Sequence, residues 1–147
     1  MSKNKKIGDF EFSEHLRSVL KGYNGAEKDV LRYSPEIFML CTDLVSSLSI
    51  GKKEKNMLYK TIAYFILPHD IYSESVYGVK GLKDDLMLCL YVLNVIAKRH
   101  GYDILIDRWN GNPNILKNLL DKEFHRMCKE NKKLFEEVLK EVDIDLV

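Results

Sequence analysis

The chain has no apolar run longer than about a dozen residues, short of the roughly twenty that a membrane-spanning helix needs. Its charge is not of one sign either: a formal net charge of +1 leaves no global field to steer it toward nucleic acid or anionic lipid. Glycine-rich phosphate loops, serine elbows and dinucleotide fingerprints are missing, so nucleotide binding has no motif to rest on. There is no internal repeat, low-complexity tract or linker. The three cysteines, Cys41, Cys89 and Cys128, are far apart, each inside an apolar helical pattern and none paired at metal-ligand spacing. They read as free thiols of a reducing compartment. At the start, Lys3, Lys5 and Lys6 lead into Asp9 and Glu11 rather than an apolar stretch, which does not read as a signal peptide. A soluble cytoplasmic protein is expected.

What is present is helix. With 147 residues, 46% apolar and 31% charged, the chain suits one globular domain with a real core and needs no disulfide or metal staple. Residues 1–9 read as a flexible polar start and 10–147 as the domain. Ser13, Leu16, Val19, Leu20 and Tyr23 fit a short amphipathic helix, with another turn or two over Ala26 to Arg32. Ser34, Pro35 and Glu36 stand in the order of a helix start, with Ser34 as the capping hydroxyl. From there Ile37, Leu40, Cys41, Leu44, Val45 and Leu48 recur at three and four, and Gly51 reads as the stop.

Met57 to Leu67 and Leu86 to Ala97 are apolar on nearly every face, as helices at the centre of a domain are. The spacing predicts that the first ends at Pro68 and that an acidic loop follows, with Asp84 and Asp85 opening the second. Lys98, Arg99 and His100 suit the carbonyl end of that second helix, and Gly101 its stop. Tyr102 to Trp109 is ambiguous, because Ile104, Leu105 and Ile106 fit a short strand or a helical turn; with no partner strand evident elsewhere, helix or irregular structure is favoured. Asn110 to Pro113 reads as a turn, with Pro113 starting a helix through Ile115, Leu116, Leu119 and Leu120. Phe124, Met127, Cys128, Leu134, Phe135, Val138 and Leu139 continue as one or two amphipathic helices. The expected fold is all-α, a bundle of about six or seven helices around a central apolar hairpin.

Within that hairpin, Tyr64, Leu67, Pro68, Asp70 and Ile71, then Gly81, Leu82, Asp84 and Asp85, resemble the signature of the YkvA-like domain family, a small helical domain of unknown function. The resemblance is confined to residues 61–96 and implies an apolar helical hairpin with an acidic turn. Where that family carries Ile-Pro-Asp after its first Asp, this chain has Tyr72, Ser73 and Glu74.

Asp70, Glu74, Asp84 and Asp85, with His69 beside them, form the one acidic cluster the pattern suggests. Carboxylates drawn together bind a hard divalent cation, which could activate water. The preferred reading is structural: Asp70 caps the turn after Pro68, and Asp84 and Asp85 complement the next helix. No catalytic residue and no resident cofactor are assigned, a divalent cation being the one candidate. His125 and Cys128, one helical turn apart, read as neighbours rather than as base and nucleophile. Lys52, Lys53, Lys55 and Lys60 near Tyr59, and Arg108 with Trp109, read as solvated faces rather than a nucleic-acid site. The function expected is a non-catalytic interaction module that binds a partner protein or a second copy, with Tyr72 and Tyr77 as candidate contacts. A metal-dependent hydrolase and a peripheral membrane adaptor are the alternatives.

Overall fold

The central element is the helix α5 (Glu74–His100). From Leu86 to Leu90, and again at Val92, Leu93 and Ile96, its side chains are at most 1% exposed, so every face of this stretch is buried. A helix apolar all round needs cover on all sides, and here α3 (Ser34–Leu44) and α4 (Lys52–Ile71) pack on it with α6 (Asp103–Ile106), α8 (Phe124–Glu130) and α9 (Lys132–Glu141). The short α2 (Lys28–Leu31) also touches it. A computed structural model describes residues 11–18, 20–21, 28–71 and 74–144, and within 67–82 the backbone path alone. Among the described residues the fold is all-α and contains no strand.

At the amino-terminal side, α1 (residues 11–18) lays Phe12 on Phe38 of α3 and Phe65 of α4 and buries Leu16 in the core. Phe12, Phe38 and Phe65 stack by their edges, with Phe38 4.8 Å from Phe12 and 5.2 Å from Phe65 between ring centres. Such tilted pairs add to burial because the positive ring edge meets the negative face.

Two helix ends differ from expectation. Helix α3 stops at Leu44, so Leu48 is not on its buried stripe but 96% exposed. Ser34 is the first helical residue rather than the cap. Tyr33 stands at the N-cap with no side-chain bond, and the Ser34 hydroxyl is buried without a partner among the described residues. Gly51 opens α4 instead of closing α3. Its amide donates to Glu54 Oε1 at 3.4 Å, half of a capping box in which a glutamate three residues on reaches back to the cap amide.

The larger correction concerns the hairpin. The first helix was expected to stop at Pro68, yet α4 runs to Ile71, and α5 begins at Glu74 rather than Asp84. Helix therefore replaces most of the expected acidic loop, and Gly78 and Gly81 lie within α5 rather than in a turn. Proline forfeits one backbone bond, which a helix of 20 residues can absorb in its last turn. Two helical glycines cost about 1 kcal/mol each, against a buried apolar run in the same helix.

The open end of the hairpin is clasped. Glu54, near the start of α4 and almost fully buried, accepts from His100 Nε2 at 2.7 Å and from Arg99 Nη1 at 3.3 Å at the end of α5. Gly101 then ends α5 at φ +88°, a left-handed conformation that glycine adopts without strain. Beyond it, α7 (Pro113–Asn118) starts as expected, with Asn112 Oδ1 accepting from the Asn114 amide at 2.8 Å. A π-helical turn, Leu119–Glu123, joins α7 to α8, and Asn131 Nδ2 closes α8 on the Met127 carbonyl at 2.9 Å.

Candidate functional site

Tyr91, Asn94, Val95 and Lys98 recur on α5 at the spacing of one helical face, toward its carboxyl end. Opposite them α8 brings Phe124, His125 and Cys128, and α9 brings Phe135. These residues, with Arg99, enclose an open pocket of about 340 Å³. Its floor is three aromatic rings: Phe135 stands edge-on to Tyr91 at 5.5 Å and to Phe124 at 5.8 Å, and Tyr91 lies 6.4 Å from Phe124. Val95 and Cys128 form apolar walls, while Lys98, Arg99 and His125 bring cationic or protonatable groups.

The π-helical turn shapes one side. The Phe124 amide donates to Leu119 and Asp121, passing over the Leu120 carbonyl it would meet in an α-helix. Asn94 Nδ2 reaches from α5 to that carbonyl at 2.7 Å. Asn94, Lys98 and His125 also line a second recess of about 190 Å³, which extends the opening toward Tyr102.

Burial pushes the Cys128 thiol up to about 11, so at neutral pH it is protonated. His125 lies on the solvent side, its Nε2 3.8 Å from Asp121 Oδ1. The pair expected to be mere neighbours thus shares a wall of the pocket, and the thiol lacks the activation a nucleophile needs. Arg99 is committed to Glu54, whereas Lys98 makes no ion pair among the described residues.

The acidic cluster is distributed differently. Asp84 and Asp85 sit inside α5, well past its amino end, and so cannot cap it. Adjacent helical residues point about 100° apart: Asp85 is buried, whereas Asp84 is only half-buried. Burial raises the Asp84 carboxyl above its ordinary range; Lys83 works against this and Glu141 adds to it. Burial also raises the Tyr64 phenol, with the charges of Asp84, Asp85 and Glu141 contributing. Deeper in, Cys89 is raised by burial and by its hydrogen bond to Cys41. Among the described residues no group of three or more His, Cys, Asp or Glu is arranged to hold a metal ion. The side chains of Asp70 and Glu74, and those of Tyr72 and Tyr77, lie outside the described residues.

Trp109 is buried, with its indole donating to the Asn112 carbonyl at 3.1 Å, so it presents no stacking platform beside Arg108. No described helix is long and apolar enough to cross a membrane.

Fold and pocket together define a helical protein with an aromatic-floored, cation-bordered cleft. The chain is 30% identical over 131 residues to the uncharacterised protein ORF9 of Methanothermobacter thermautotrophicus, with 87% of each chain covered, and it belongs to the same family as that protein. No family model matches the chain, and no solved structure matches it.

The sequence reading missed this pocket. Its α5 face was visible as Tyr91, Asn94, Val95 and Lys98, but a face that mixes aromatic, amide and cation reads as a helix border until α8 and α9 are set against it.

Proposed function

We propose that this chain is a non-catalytic helical accessory module whose work is binding, and that it binds at the pocket between α5, α8 and α9. One observation carries the reading: an open cavity of about 340 Å³ floored by three aromatic rings, in a protein whose central helix is otherwise closely covered. Apolar pockets with a few convergent polar groups are the usual form of a ligand site. The protonated Cys128 thiol favours binding over nucleophilic chemistry. Asp84 and Asp85 diverging on one helix weigh against the metal-dependent hydrolase. Three free cysteines support a reducing, cytoplasmic location. A partner protein or a second copy remains within this proposal as the source of the bound group, and peripheral membrane contact is the weaker alternative.

Cys128 provides the test. It is half-buried on the pocket wall, whereas Cys41 and Cys89 are fully buried. Native protein should therefore react with N-ethylmaleimide first at Cys128, and 3-phenylpropanol, a neutral apolar probe, should slow that reaction. Val95→Trp, which fills the pocket, should remove the probe's effect. Alkylation indifferent to the probe up to its solubility limit would refute the assignment.

A further inference from the structure

We infer that the group selected by this pocket is a small carboxylate amphiphile: an aryl or acyl body seated on the aromatic floor, with one carboxylate at the Lys98 edge. This rests on the binding reading above and narrows it to a ligand class.

Size is the first argument. A cavity of about 340 Å³ lies at the small end of ligand pockets, which run from roughly 300 to 1,000 Å³. The surroundings argue against a broad protein interface, which needs about 800 Å² on each partner. Among the described residues the exposed large hydrophobics are Leu48, Tyr59 and Tyr102, and of these only Tyr102 borders the opening. The cleft is thus a local apolar feature on a polar face.

Charge is the second argument. Arg99 is already held by Glu54 at 3.3 Å, and His125 has Asp121 at 3.8 Å. Lys98 is exposed and makes no ion pair among the described residues. The carbonyl end of α5 opposes an anion with about half a charge, and Asp121 opposes it from the second recess. Lys98 carries a full charge against the half charge of the helix end, and Asp121 is itself turned to solvent, 76% exposed. A neutral ligand would leave Lys98 unused, and a cation would be repelled.

The experiment compares 3-phenylpropionate, 3-phenylpropanol and 3-phenylpropylammonium as protectants of Cys128 in the full chain. The carboxylate should protect at a concentration roughly two- to fivefold lower than the alcohol, with the ammonium weakest. Lys98→Met keeps the aliphatic stem and should erase the carboxylate's advantage while leaving the alcohol unchanged. Equal protection by carboxylate and alcohol, or an advantage that survives in Lys98→Met, would overturn the ligand class and leave the binding reading standing. Failure of the alcohol to protect, alone or with the other two probes, would overturn both.

Discussion

Removing the Glu54 side chain should unlock the open end of the central hairpin. Glu54 is nearly buried, while His100 and Arg99 keep about a quarter and a third of their side-chain surface exposed (27% and 34%). Deleting the carboxylate lets both partners recover water, so the loss stays below the roughly 3–5 kcal/mol of breaking a fully buried pair. The 2.7 Å bond from His100 is charge-assisted by the Glu54 carboxylate, and bonds to charged groups contribute about 1.5–3 kcal/mol. For Glu54→Ala we expect a loss of about 2–3 kcal/mol in urea unfolding, and a drop in Tm of roughly 6–12 °C, at about 3–4 °C per kcal/mol for a chain of this size. The hydrogen bond from His100, with the Gly51 amide and Arg99 adding to it, holds the Glu54 carboxyl below its ordinary range, although burial works the other way. A depressed carboxylate stabilises above its unfolded pKa, about 4.3, and the gain disappears as pH falls through the lower folded value. The wild type should therefore lose stability in acid faster than Glu54→Gln does. A double-mutant cycle with His100→Ala should show coupling of about 1 kcal/mol or more. A loss under about 0.5 kcal/mol, or additive single effects, would refute the clasp.

Asp84→Asn tests how the acids on α5 act. Burial raises the Asp84 carboxyl above its unfolded value, so its contribution is favourable only in acid and is lost as pH rises through the folded pKa. Thermal melts at neutral pH should show the variant at least as stable as the wild type, the difference vanishing in acid; a clear drop at neutral pH would restore a capping role. Asn94→Ala leaves the Leu120 carbonyl without its cross-helix donor and should cost about 1–2 kcal/mol by urea unfolding. If Asn94→Ala is neutral, the π-helical turn does not depend on α5.

The parts legible from sequence were those settled by local or all-round patterns. Leu86 to Ala97, apolar on nearly every face, reads as a helix at the centre of the bundle, and Pro113 after a turn announces a helix start. Gly101 follows three basic residues and takes the positive φ that a helix stop requires. Pro68 misled because its local cost was weighed without the lateral packing that lets α4 run on to Ile71. Once that stop was assumed, Asp84 and Asp85 looked like residues at a helix start, although the helix already extends back to Glu74. Leu48 fitted the stripe of α3 by spacing, but the helix ends before reaching it. The clasp at Glu54 joins residues 46 apart in sequence, and the pocket walls come from helices about thirty residues downstream of α5. Neither has a local sign.

Two unfavourable features coincide at this pocket. Protein interiors pack to the density of organic crystals, and most of α5 is closely covered, yet beside Tyr91 and Val95 an open pocket remains, walled on the facing helix by the small side chain of Cys128. Leaving a cavity open forfeits dispersion contacts along its lining. Within the same few residues the chain also adopts a π-helical turn, which is rare and tends to lie at functional sites, and it devotes Asn94 on another helix to the Leu120 carbonyl which that turn passes over. A chain under selection for stability alone would close the gap with a larger residue and straighten the helix. Both features persist at one place, bordered by a lysine with no described ion partner, which is the pattern expected where local rules are broken for a bound group.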